Sequence, residues 1–221
     1  MKTVILLCAL LSTSVFANFF SNGSKTPETK ADVLVLMDNS GSMMKYAQTA
    51  GGGVAALVNE LQYNSINLGL ITNGPLQPGQ KLFRTTPVNG TMMDVLQGLM
   101  RDINALDFNG SPSEEFYSAI LKTTEPEYSK FYREGADVII YIITDEDEER
   151  VKSPMNTLDF IRELKSRLNL SKLKINLLTE SDKCKTHGPQ ISEMVLWEAV
   201  RAVGGQVYDI CPQEPNPAPQ Q

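Results

Sequence analysis

Five consecutive residues, Asp38-Asn39-Ser40-Gly41-Ser42, set one carboxylate and two hydroxyls at alternate positions directly after the apolar run Val33-Leu34-Val35-Leu36-Met37. Alternation lets a tight loop turn Asp38, Ser40 and Ser42 toward one point, and Gly41 lets the backbone bend between them. Oxygen donors gathered in this way suit a hard divalent cation: Mg²⁺ takes six oxygens at about 2.0–2.1 Å and keeps several waters. A second apolar run, within Asp137 to Thr144, also ends in an aspartate, Asp145. The five residues have a plainer reading as well, a helix start with Ser40 or Ser42 as its N-cap.

Other chemistries are poorly served. Zinc prefers His and Cys ligands, but His187 is the one histidine and it lies in a polar loop beside Gly188-Pro189. The spacing offers no Ser-His-Asp arrangement, and there is no Gly-x-Ser-x-Gly elbow or phosphate-cradling Gly-Lys-Ser/Thr loop. A metal-dependent phosphohydrolase is the closest enzymatic alternative, since Mg²⁺ at a strand end also serves phosphoryl transfer. It would need a nucleophile or general base and a cationic clamp. Lys45 is the only basic residue near Asp38, and the run Asp145-Glu146-Asp147-Glu148-Glu149 would repel phosphate. That run reads either as a solvated loop feeding a helix N-terminus, where acids are favourable, or as a second cation site. The formal net charge of -6 argues against nucleic acid and against an anionic membrane surface, both of which select a basic face.

The elements that must position these residues alternate. The run Val33 to Met37 predicts a central parallel strand buried on both faces, and Asp137 to Thr144 predicts another. Further strands are expected at Ile66 to Ile71, Lys174 to Leu178 and Gln206 to Ile210, with a short, more polar one at Lys81 to Thr86, at an edge. Helices are expected over Met43 to Leu61, Thr91 to Leu106, Ser113 to Lys122, from Ser153-Pro154 onward, and Ser192 to Val203, closed by Gly204-Gly205. Gly51-Gly52-Gly53 weakens the first helix, because an interior glycine costs about 1 kcal/mol against alanine. Trp197 falls at helical spacing with Met194 and Arg201, which predicts core packing. Strands alternating with helices give an α/β, doubly wound, mostly parallel six-stranded sheet with helices on both faces and one short antiparallel edge strand. In such sheets ligands bind beyond the carboxyl ends of the strands, where strand order reverses. Asp38 and Asp145 both stand at such ends.

Val33 to Met43, VLVLMDNSGSM, resembles the first strand and metal-ion-dependent adhesion motif of von Willebrand factor A domains, whose pattern is Asp-x-Ser-x-Ser, then a threonine in a second loop, then an aspartate after the following strand. Asp38, Ser40 and Ser42 match the first part, and Asp145 in Ile142-Ile143-Thr144-Asp145 matches the last. The threonine is missing. The second loop reads Asn109-Gly110-Ser111-Pro112-Ser113-Glu114, where Ser111 follows the glycine as the family's threonine does and Ser113 is the alternative; either offers a hydroxyl. The resemblance extends over roughly residues 31 to 211, and the second loop and the strand ending in ITDEDE resemble those of exported bacterial members. It implies a site for Mg²⁺, or Mn²⁺ or Ca²⁺, that grips a partner protein through a Glu or Asp carboxylate, without catalysis. Glu146, Asp147 and Glu148 would then repel strongly acidic surfaces and add selectivity. A structural domain with a vestigial metal site is a further alternative.

The ends are read separately. Lys2, the apolar stretch Val4 to Leu11 and Val15-Phe16-Ala17 predict a cleaved signal peptide over residues 1–17, hence a secreted or periplasmic protein. Cys8 lacks the small preceding residue of a lipidation box. Residues 18–30 read as a polar linker, 31–211 as the domain and 212–221, with four prolines, as a disordered tail. After cleavage Cys184 and Cys211 remain, and an even pair in an exported chain reads as a disulfide. Four sequons, at Asn22, Asn89, Asn109 and Asn169, would carry glycans only in a glycosylating pathway; one on Asn109 would crowd Ser111.

Overall fold

A computed structural model describes residues 29–73, 84–85, 91–108, 115–148, 155–181, 191 and 194–211. Five strands, β1 (Lys30–Met37), β2 (Ser65–Thr72), β3 (Asp137–Ile143), β4 (Leu173–Thr179) and β5 (Val207–Asp209), lie in the order β2-β1-β3-β4-β5, and each neighbouring pair is parallel. The helices are α1 (Ala47–Asn59), α2 (Met92–Asn104), α3 (Phe116–Lys122), α4 (Thr157–Leu168) and α5 (Val195–Ala202), with a 3-10 turn at Gly41–Lys45 ahead of α1.

The strand alternation explains why β1 reads as an unbroken apolar run. Successive side chains point to opposite faces. Val33, Val35 and Met37 pack with Val54 and Val58 of α1 and Leu99 and Ile103 of α2. Leu34 and Leu36 pack on the other face with Phe116 of α3, Phe160 of α4 and Leu196 of α5. Both faces are covered, so neither can carry polar residues cheaply. Trp197 is half-buried against the second cluster.

The sheet itself corrects the expected architecture. In place of six strands with a short antiparallel strand at Lys81 to Thr86, the continuous sheet is five-stranded and all parallel. Of that expected strand only Arg84 and Thr85 are among the described residues, and they form a two-residue antiparallel bridge to Leu70 and Gly69. Two paired residues at the edge add little beside strands of seven and eight residues. The first helix also divides: Gly41–Lys45 is a 3-10 turn and α1 begins at Ala47. α4 starts at Thr157 rather than at Ser153-Pro154, because Asn156 is its N-cap and accepts from Asp159 N at 2.9 Å. Ser113, the expected cap of α3, lies outside the described residues, as do the expected signal peptide, most of the linker, the tail and His187.

Candidate functional site

β1 and β3 run side by side with Met37 opposite Ile143, and Asp38 N donates to Ile143 O at 2.9 Å. Pairing therefore continues one residue beyond β1, which fixes where the side chains of the following loop start. The chain leaves β1 for β2 on one side and reaches β3 on the other, so strand order reverses here. This is the position at which open parallel sheets hold ligands.

Asp38 is fully buried. Its Oδ1 accepts from Ser40 N at 2.7 Å and its Oδ2 from Thr144 Oγ1 at 2.7 Å. Ser40 Oγ and Ser42 Oγ are 3.0 Å apart, and Ser42 Oγ donates to Asp145 Oδ1 at 3.1 Å. Asp38, Ser40, Ser42 and Asp145 are thus brought together. Ser40 is buried, Asp145 half-buried and Ser42 exposed, so the group grades from interior to solvent. Ser40 does occupy the N-cap position of the 3-10 turn, but its side chain makes no capping hydrogen bond. Capping is therefore not what this serine does. The contrast is Thr91, whose side chain accepts from Asp94 N in a capping box at the start of α2.

Burial pushes the Asp38 carboxyl above its ordinary range; the donors Ser40 and Thr144 oppose this, and the charge of Asp145 adds to it. Two mutually repelling carboxylates with two hydroxyls make an all-oxygen donor set that suits a hard divalent cation and would not suit zinc. Among the described residues no group of three or more His, Cys, Asp and Glu gathers to hold a metal, so any cation here depends on the serine hydroxyls. Ser111 and its alternative Ser113 lie outside the described residues, as does Asn109. The approach to their loop is described: Asn39 Nδ2 donates to Asp107 O at 3.2 Å, and a side chain at Gly41 would sit 3.6 Å from Phe108 O.

The acidic run after β3 does more than the sequence suggested. Glu146 is exposed, but Asp147 turns onto α5, where Oδ2 accepts from Val195 N at 2.7 Å and Oδ1 from Leu196 N at 3.0 Å. Glu148 is buried, and its Oε2 accepts from Tyr117 N at the start of α3 at 3.1 Å. Neither helix has a capping side chain at its own N-cap residue, Met194 or Glu115. The loop supplies caps from elsewhere in the chain. Of the three acids expected to screen against acidic surfaces, two are turned onto helix N-termini.

Four further residues escaped the sequence reading. Thr144, fully buried, holds Asp38, and Asn73 Oδ1 accepts from Asn39 N at 3.2 Å. Tyr46 donates its hydroxyl to buried Glu180 at the end of β4. Lys45 Nζ lies 3.6 Å from Glu180 and 4.5 Å from the Tyr46 ring centre. A small hydroxyl residue closing an apolar strand was the one visible signal, at Thr144. Cys211 lies just beyond β5, with its Sγ 3.2 Å from Ser181 Oγ, while Cys184 lies outside the described residues. No described helix is long and apolar enough to cross a membrane.

No family model matches this chain, and no curated protein matches it by sequence. Among solved structures it is similar to proximal thread matrix protein 1 from the mussel byssus, with a TM-score of 0.53 at 13% identity, over 82% of this chain and 44% of that one. A second crystal form of the same mussel protein gives a TM-score of 0.49 at 16% identity, over 80% and 47%. The pilus adhesin SpaC from Lactobacillus rhamnosus GG, in its open conformation, gives 0.49 at 14% identity, over 82% and 28%. The chain spans less than half the length of each of these proteins. The likeness is one of fold.

Proposed function

We propose that this chain is an exported, von Willebrand factor A-like binding module that holds Mg²⁺, or Mn²⁺ or Ca²⁺, beyond β1 and β3 and grips a partner protein's Glu or Asp through it. One observation carries the reading: Asp38, Ser40, Ser42 and Asp145 converge at the point where strand order reverses, with the serine side chains turned to one another and to Asp145 instead of capping. Asp38 and Asp145 would balance the charge of a dication, Ser40 and Ser42 would offer neutral oxygens, and Ser111, or Ser113, would complete the set. Bound there, the cation would supply an open coordination position for one more anionic oxygen. Exposed Ser42 and half-buried Asp145 leave that side accessible to a partner.

Binding is favoured over phosphoryl transfer by the placement of Lys45. Its ammonium lies against Glu180 and over Tyr46, and of the acids after β3 Asp147 and Glu148 cap helices. The proposal places the pair Cys184–Cys211 across the end of the sheet and the protein outside the cytoplasm. The test is affinity capture from the native surface or periplasm with the mature chain, with and without EDTA, followed by binding of the captured protein to Asp145→Ala. Loss of binding in EDTA and in the variant supports the reading. A captured protein retained equally in both would contradict it.

A further inference from the structure

The segment Thr144 to Glu148 is tied down at every residue around Asp145. Thr144 Oγ1 donates to Asp38 Oδ2 at 2.7 Å, and Glu146 N donates back to Thr144 Oγ1 at 2.9 Å. One residue further on, the Asp147 carboxylate takes both Val195 N and Leu196 N, and Glu148 takes Tyr117 N. Asp145 sits between these anchors, on the side of the loop that reaches Ser42.

We infer that Asp147 is a positioning residue for the cation site: its two bonds to the N-terminus of α5 set where Asp145 stands, and cation binding is thereby coupled to α5. This rests on the functional reading above. The physical case has three parts. First, α5 has no capping side chain of its own, so its first amides rely on Asp147. Second, a carboxylate at a helix N-terminus is held by charge as well as by hydrogen bonds, which makes this anchor stiff. Third, two residues of chain reach at most about 7 Å, so Asp147 cannot shift far without carrying Asp145 with it. Groups that orient a metal's ligands without touching the metal alter affinity strongly when they are replaced. Coupling of this kind is reciprocal: whatever binds at Asp145 must steady α5 as much as α5 steadies Asp145.

The test uses the full mature chain and Mg²⁺ alone. Calorimetric titration should show Asp147→Asn binding Mg²⁺ roughly tenfold more weakly than wild type. Tyr63→Phe, which removes a hydrogen bond to Asp137 at the far end of the sheet, should leave the affinity unchanged. Amide hydrogen exchange in wild type should slow at Val195 and Leu196 when Mg²⁺ is saturating. That measurement decides the matter by itself if Asp147→Asn does not fold. Wild-type affinity in Asp147→Asn, or identical exchange at Val195 and Leu196 with and without Mg²⁺, would overturn the inference and leave the cation site standing. A wild type that binds no Mg²⁺ would overturn both.

Discussion

Thr144 Oγ1 donates to Asp38 Oδ2 at 2.7 Å, so the ends of two adjacent parallel strands are joined by a fully buried hydroxyl and a fully buried carboxylate. Thr144→Val keeps the shape and removes the donor. A hydrogen bond to a charged group contributes about 1.5–3 kcal/mol, so the variant should lose about 2 kcal/mol in urea unfolding at neutral pH without metal. A loss below about 0.5 kcal/mol would show that Asp38 does not depend on this donor.

The glycines separate by what a side chain would meet. A Cβ at Gly205 would collide with Ile175 O, a backbone atom that cannot move aside, whereas at Gly52 it would meet open space. Gly205→Ala should therefore cost about 3 kcal/mol or more. Gly52→Ala should stabilise by about 0.5–1 kcal/mol, because it favours the helix without a clash. Thermal unfolding of the two variants should move in opposite directions.

How much of this was legible in the sequence depended on how local the cause was. β1 and β3 could be read because a strand buried on both faces must be apolar throughout, and Asp38, Ser40 and Ser42 because they are two residues apart. The cap of α2 by Thr91 and Asp94 is equally local. The caps of α3 and α5 are not: Asp147 reaches Val195 and Glu148 reaches Tyr117 across long stretches of chain, so the acidic run looked like solvated loop. At α4 the sequence signal was Ser153-Pro154, which lies outside the described residues, whereas the helix is capped by Asn156 through Asp159 N, a cap the sequence reading missed.

At the opposite end of the sheet from the site, Arg133 holds buried Asp32: Nε donates to Oδ1 at 2.8 Å and the backbone N to Oδ2 at 2.6 Å, while Nη1 donates to Ser65 Oγ at 2.6 Å. Arg133→Ala would strand a buried charge and should cost about 3 kcal/mol at pH 7. Burial, opposed by Arg133, leaves the Asp32 carboxyl above its ordinary range. A carboxyl raised in the folded state binds its proton more tightly there than when unfolded, so its cost to stability appears above the unfolded value and fades as pH falls. The deficit of Arg133→Ala should accordingly shrink as pH is lowered from 7 toward about 4, where the unfolded carboxyl titrates. A deficit that stayed constant across that range would contradict the assignment.

The disulfide prediction concerns Cys184 and Cys211. Mass mapping of the exported protein without reduction should recover one peptide pair containing both. On the chain-entropy model the bond contributes on the order of 3–4 kcal/mol. Free Cys184 in the exported protein would remove this pairing.

The cation site stands or falls on whether Mg²⁺ stabilises the folded chain through these residues. Thermal unfolding should be followed across a Mg²⁺ titration, with EDTA reversal, in wild type, Asp38→Ala and the double variant Ser40→Ala/Ser42→Ala. A ligand that binds only the folded state stabilises it by about 2.7 kcal/mol at a hundredfold excess over its dissociation constant. Wild type should show that rise and lose it in EDTA, and the variants should show none. A wild type that is unmoved by millimolar Mg²⁺, or variants that respond as wild type does, would contradict the account.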